Sequence, residues 1–211
     1  MTLRTTSWTP PERGALFVVA GASGTGKTTL VKAALAAVPG LQFSVSATTR
    51  PIRPGEVNGQ DYWFLTREAF TSRVSDGDFL EWAEVYGNLY GTLREPVRQT
   101  LDDGFSILLD IDTQGAEQVR HSGIAHTSVF VLPPDIETLS RRLSSRGTDE
   151  PAVIARRLRE AHEQISAAGT FDCIVVNDDL DSAHDQFQAV IVAELLRTNR
   201  HSRLVNAFRS G

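Results

Sequence analysis

The chain is short of cysteine, of long apolar runs and of lysine, and each shortage excludes something. Cys173 is the one cysteine in 211 residues. That rules out a disulfide framework or a multi-cysteine zinc site, and it fits a reducing, cytoplasmic setting. No apolar run approaches the roughly 20 residues that span a bilayer. The purest near the start is Leu16 to Ala20, and the polar opening MTLRTTSWTPPERG lacks the apolar stretch of a signal peptide. With 41% hydrophobic residues and a net charge of only −5, disorder is excluded. A net negative chain is poorly suited to wrapping nucleic acid. We therefore expect neither a nucleic-acid nor a membrane partner. Of 21 basic residues only Lys27 and Lys32 are lysine.

Five short apolar, β-branched runs recur at 15–20, 41–47, 106–111, 127–132 and 172–177. Continuous apolar runs, as opposed to strict alternation, predict strands buried on both faces, as in a parallel sheet. Helical patterns lie at Thr28–Val38, Asp135–Ser145, Pro151–Ala168 and Ser182–Arg197. In the third, Ile154, Leu158 and Ile165 share one face, as an amphipathic helix requires. Strands alternating with helices predict a three-layer α/β domain. Residues 48–102 break the rhythm with RPIRPG, NGQ, SDGD and YGN, all turn chemistry, and predict a small, mostly antiparallel insertion. An Arg-rich stretch at 139–160, jointed at RGTDEP, is placed like a lid. Residues 1–13 and 206–211 are expected to be loose ends, and Cys173 to be core packing.

After the first strand comes Gly21-Ala22-Ser23-Gly24-Thr25-Gly26-Lys27-Thr28, followed by Thr29. It matches the phosphate-loop pattern G-x-x-x-x-G-K-[ST] at every fixed position. Glycines let successive backbone N–H groups turn toward an anion, and the following helix adds the positive end of its dipole. Lys27 would reach the β and γ phosphates of a nucleoside triphosphate, and the Thr28 hydroxyl would ligate Mg²⁺. A chain that otherwise prefers arginine keeps a slim lysine here.

The insertion carries Ser46-Ala47-Thr48-Thr49-Arg50-Pro51-Ile52-Arg53-Pro54-Gly55-Glu56, then Asn58-Gly59 and Asp61-Tyr62-Trp63-Phe64. Leu80-Glu81-Trp82-Ala83 and Tyr86-Gly87-Asn88-Leu89-Tyr90-Gly91-Thr92 follow. From about Gly14 to Leu180 the sequence closely resembles the guanylate kinase family, whose members phosphorylate GMP with ATP. The resemblance implies a three-layer phosphate-loop nucleoside monophosphate kinase fold with five parallel strands, an acceptor-binding insertion and a helical lid. It divides a single domain, 14–205, into a core (14–47, 103–134, 170–205), a GMP-binding insertion (48–102) and a lid (135–169). Arg50, Arg53, Tyr62 and Tyr90 would hold the GMP phosphate. Glu81 would face the guanine, helped by Ser46, Thr92 and Asp110. The chemistry agrees: arginine forks suit a dianion, and a carboxylate accepts the adjacent N1–H and 2-amino donors of guanine. Adenine would leave Glu81 facing a lone pair, at a cost of about 1–3 kcal/mol or more.

The stretch SILLDID (106–112) ends in acids, Asp110 and Asp112, and strand ends of this kind open onto the ligand crevice. Asp112 there is either a neighbour of Mg²⁺ through water or the cap of the next helix. In the lid the family pattern matches Arg146 and Arg157 as catalytic arginines beside Lys27, with Arg156 the alternative to Arg157. Asn177, in Asn177-Asp178-Asp179, falls where relatives meet the adenine of ATP. A GMP phosphate has a second pKa of about 6 and is already dianionic, so no general base is needed for in-line attack. A sugar-phosphate kinase would not need the Glu81/Thr92 pair, a non-catalytic scaffold module would not keep the phosphate loop, and a GTPase would carry Asn-Lys-x-Asp. Ala22, where many relatives have proline, and Thr28, where serine is common, remove no donor that the mechanism requires.

Overall fold

The computed structural model describes residues 10–144 and 151–209. Its centre is β1 (Leu16–Ala20), buried at every position. Phe17 and Val19 pack to one side and Leu16 and Val18 to the other. A strand covered on both faces tolerates no polar side chain, which accounts for LFVVA. β7 (Ser106–Asp110) and β8 (Thr127–Leu132) flank β1 in parallel. β2 (Leu41–Phe43) lies outside β7, and β9 (Cys173–Val176) outside β8. On one face α1 (Lys27–Ala37) and α7 (Leu180–Leu195) bury Leu30, Val31, Phe187 and Ile191. On the other, α3 (Arg94–Asp102) and α4 (Thr113–His121) bury Val97, Leu101, Ala116 and Val119. The parallel five-stranded, three-layer α/β arrangement is thus the one expected.

The run 41–47 is not one strand. β2 stops at Phe43, and β3 (Ala47–Thr48) joins a second sheet with β4 (Trp63–Phe64), β5 (Phe79–Val85) and β6 (Asn88–Leu93). β6 pairs antiparallel with β3 and β5, whereas β3 and β4 run parallel. This insertion has its own core of Phe70, Phe79, Leu89 and Leu93. α2 (Arg67–Ser75) supplies Phe70 and was not foreseen in the turn-rich segment; the Thr66 hydroxyl caps it by accepting from the Ala69 N–H. α3, inside the same 48–102 stretch, packs on the main sheet instead.

α5 (Ile136–Ser144) and α6 (Pro151–Ser166) form the lid region, with the joint at 145–150 outside the described residues. Leu139, Leu143 and Ala161 close on Ala22 of the glycine-rich loop, with Leu158 and Ile165 at the margin. The chain start is tied down from Glu12, whose N–H donates to Arg200 O at 2.9 Å, and Arg13 pairs with Asp102 at 2.8 Å. Glu12 and Arg13, expected in a loose arm, are thus held by backbone and ion-pair contacts that leave no mark on composition. Phe208, toward the other end, is exposed. Cys173 sits partly buried at the core margin, because β9 is an edge strand that also exposes Ile174 and Val176. Among the described residues no helix is long and apolar enough to cross a membrane.

Candidate active site

The loop after β1 opens at the carboxyl ends of the parallel strands, where crevices form in such sheets. Gly26 is the N-cap of α1 at φ 84°, and no side chain caps the helix or places an acid in its first turn. Its N-terminal N–H groups and dipole are therefore free to meet an anion. Thr25 is fully buried, its hydroxyl donating to Ala22 O at 2.9 Å. A cleft of about 560 Å³ runs along Gly21, Ser23, Gly24, Lys27, Thr28 and Thr29. Its far wall includes Asp110, Asp112 and Arg142.

Lys27 crosses the cleft. Its Nζ lies 2.5 Å from Asp110 Oδ1 and donates to Ile111 O at 3.3 Å. The lysine of the loop is thus parked on the acid that ends β7. Asp112 caps α4: its carboxylate accepts from the Gly115 N–H at 2.8 Å at the start of that helix, and it also lines the cleft.

Asn177 lies beneath the loop, 5% exposed, and its Nδ2 donates to Thr25 O at 2.7 Å. A Cβ on Gly26 would come within 2.2 Å of that nitrogen. One N–H of the side-chain amide is thus committed to the loop backbone, at the residue that the resemblance places near the adenine of ATP. Arg142 Nη1 donates to Asn177 O at 2.9 Å and extends the brace. No motif in the sequence marks Arg142; the one signal is its i+3 spacing from Leu139, a lid-core residue, which puts it on an inward face.

The second cluster sits on the insertion's sheet. Glu81 of β5 stands opposite Thr92 of β6, whose hydroxyl donates to Glu81 Oε1 at 2.6 Å. Glu81 is 7% exposed and Thr92 1%. Burial raises the Glu81 pKa above the usual carboxylate value, the Thr92 bond opposes the rise, and the charge of Asp112 adds to it. Oε2 faces Gly115, where a Cβ would approach to 3.1 Å. Tyr90 is two residues from Thr92 and so on the same face, its ring centroid 6.2 Å from that of Tyr62. The Arg50 guanidinium lies 5.3 Å from the Tyr62 ring and within hydrogen-bonding reach of the Tyr90 hydroxyl.

Ser46 is half-buried and its carbonyl accepts from the Trp63 N–H at 2.9 Å. The Arg53 side chain is exposed. α4 joins the two clusters. Asp112 and Gly115 lie in its first turn, and the Gln118 side chain makes two bonds to the Trp82 backbone of β5, at 3.0 and 2.9 Å. On α6, Arg157 is half-buried and shares a helix face with Ala161 and with Gln164, which lines the cleft. Arg156 is exposed and pairs with Glu160 at 3.5 Å, so of the two it is Arg157 that faces inward. Arg146 lies outside the described residues.

The family model described as guanylate kinase matches residues 13–194. The guanylate kinase of Symbiobacterium thermophilum is 50% identical over 189 residues, covering 90% of each chain. That of Cereibacter sphaeroides is 46% identical over 199 residues, covering 93% of this chain and 94% of the relative. Among solved structures, the crystal structure of guanylate kinase from Anaplasma phagocytophilum superposes with a TM-score of 0.67 at 34% identity. It covers 91% of this chain and 92% of its own.

Proposed function

The chain belongs to the guanylate kinase family, and from this premise we propose how its two clusters divide the work. It is an ATP:GMP phosphotransferase, converting ATP and GMP to ADP and GDP. In the proposed arrangement the loop 21–29 holds the phosphates of ATP, with Lys27 as the point charge on the transferring group. Arg50, Arg53, Tyr62 and Tyr90 hold the phosphate of GMP, while Glu81, Thr92, Ser46 and Asp110 read and seat the guanine. Arg157 and Arg146 close over the reacting phosphoryl group.

The observation that carries this reading is the buried Glu81–Thr92 pair joined through α4 to the strand end where Lys27 meets Asp110. A buried carboxylate whose pKa is raised by burial gains most from two adjacent donors, and guanine supplies them. Asn177 contributes by holding Thr25 and, through it, the shape of the loop.

Thr28 sits on the cleft that Asp112 also lines. This all-oxygen set suits a hard divalent cation that keeps most of its ligands from phosphates and water. Among the described residues no cluster of three potential side-chain ligands forms a metal cage, so Mg²⁺ would enter with the nucleotide. When bound, it neutralises charge on the β and γ phosphates. The chain's own task is to bring two polyanions into line and exclude water. Lys27 must leave Asp110 for the phosphates. The attacking GMP oxygen is already an anion at neutral pH, with a second pKa of about 6, and needs no general base. The test is ADP release from Mg-ATP with GMP, AMP, ribose phosphate or no acceptor. Turnover confined to GMP is the expected result; equal turnover with AMP would defeat the base-reading assignment.

A further inference from the structure

Arg50 is held before any phosphate arrives. Its Nη2 donates to Glu56 Oε1 at 2.6 Å and its Nη1 to Glu56 Oε2 at 3.1 Å, while Nη1 also donates to Pro51 O at 2.8 Å. Arginine carries five N–H donors in a rigid plane. The Glu56 and Pro51 oxygens use both N–H groups of Nη1 and one of Nη2, so the N–H groups they leave are Nε–H and the second of Nη2. These lie along one edge and form a bidentate fork of the width that a phosphate accepts. The aromatic rings of Tyr62 and Phe64 lie 5.3 and 5.6 Å from the guanidinium carbon, and the Tyr90 hydroxyl is within reach. Glu56 is fixed in turn by the Arg53 N–H, which donates to Oε2 at 2.7 Å, and by its own N–H donating to Arg53 O at 3.1 Å. Both side chains are largely covered, Arg50 at 12% and Glu56 at 20% exposure.

We propose that Glu56 is a positioning residue for the acceptor: it grips the outer fork of Arg50 so that only the Nε/Nη2 edge is offered to the phosphate of the bound monophosphate. The inference rests on the reading of Arg50 as a phosphate ligand. It adds a selection that Arg50 alone cannot make, because an unheld guanidinium could turn either edge to the anion and would lose side-chain freedom on binding. One acidic residue in a phosphate site is otherwise unfavourable electrostatically. Glu56 is tolerated because its charge is fully taken up by Arg50 and the Arg53 N–H.

The test compares GMP with guanosine, which presents the same base and no phosphate, in Glu56→Gln, Arg50→Lys and the double variant. Glu56→Gln keeps the shape but turns an amide NH₂ toward the guanidinium. It should weaken GMP binding about tenfold or more, the scale of a lost charged contact. Guanosine inhibition and the KM for ATP should not move. In the Arg50→Lys background the added Glu56→Gln should change GMP affinity less than about twofold, because its effect passes through Arg50. The proposal is overturned if GMP and guanosine weaken together, which would make Glu56 a loop support only. It is equally overturned if Glu56→Gln leaves GMP affinity intact, or costs the same factor with Lys at position 50. If Arg50→Lys itself leaves GMP affinity unchanged, the assignment of Arg50 to the phosphate fails, and the proposal falls with it.

Discussion

At the scale of single residues, Glu81 sets function against stability. Its pKa is raised above the ordinary 4.5 by burial first, with Asp112 adding to the effect. Between the ordinary and the raised value the folded state binds the proton more tightly than the unfolded chain, so stability falls as pH rises through that window. At neutral pH the charged Glu81 is therefore a net cost to the fold. Glu81→Gln should stabilise the ligand-free protein by about 1 kcal/mol at pH 7, or about 2–4 °C in Tm. The gain should shrink toward pH 4, while GMP turnover collapses throughout. Thermal melts at both pH values check this; a lower Tm at pH 7 would show that the charged form is stabilised by contacts beyond Thr92. Gly115 guards the same carboxylate. Ala at 115 would place a methyl 3.1 Å from Oε2, forcing the carboxylate to shift by a few tenths of an ångström. In the proposed base site GMP would use both oxygens for its two donors, whereas IMP has one donor fewer. Gly115→Ala is expected to raise the KM for GMP about 5–10-fold and to narrow the preference for GMP over IMP. An unchanged ratio of the two kcat/KM values would remove Gly115 from base selection.

At the scale of elements, the instructive one is α4. Its Gln118 side chain supplies an acceptor and a donor to the backbone of Trp82 on β5, an edge strand of the second sheet. One amide thus does the work of a neighbouring strand and sets the angle between insertion and core. Gln118→Ala should cost about 1–2 kcal/mol for the two bonds and speed amide exchange over β5 before any other strand. Exchange rising equally in β1 would mean that Gln118 does not locally anchor β5. Nothing in the sequence marks Gln118, since a glutamine on a helix reads as solvated. The legible parts were those with a physical reason to repeat. LFVVA is buried on both faces, and the loop Gly21–Thr28 needs its glycines and lysine whatever surrounds them. The run 41–47 misled because an apolar stretch has the same composition whether it serves one sheet or, as with Leu41–Phe43 and Ala47–Thr48, two. α2 escaped notice because REAFTSRVS buries a single residue, Phe70, and so carries almost no periodic signal. Arg50 could be read from its motif, but the role of Glu56 needed the turn that brings residues 53 and 56 together.

At the scale of the molecule, the proposed donor and acceptor sites rest on different cores. The loop 21–28 is backed by the main sheet and the lid residues Leu139, Leu143 and Ala161. The Arg50–Glu81 cluster is built on a sheet whose own core is Phe70, Phe79, Leu89 and Leu93. Leu80 and the α4 contacts stitch the second body to the first. Two bodies with separate cores can open separately, and an enzyme that must bring two polyanions together and then release two products gains from that freedom. Phe70 decides the matter, because it is fully buried and stacks on Phe79 with centroids 4.3 Å apart. Phe70→Ala should cost about 3–5 kcal/mol in the insertion core. The expected outcome is local: amide exchange rises across β3 to β6, GMP no longer protects the chain, and ATP still protects the loop and α1. Hydrogen exchange with each nucleotide in turn measures all three. Exchange that instead accelerates uniformly through β1, β7 and β8 would mean that core and insertion unfold as one unit, and the independence of the two sites would have to be abandoned.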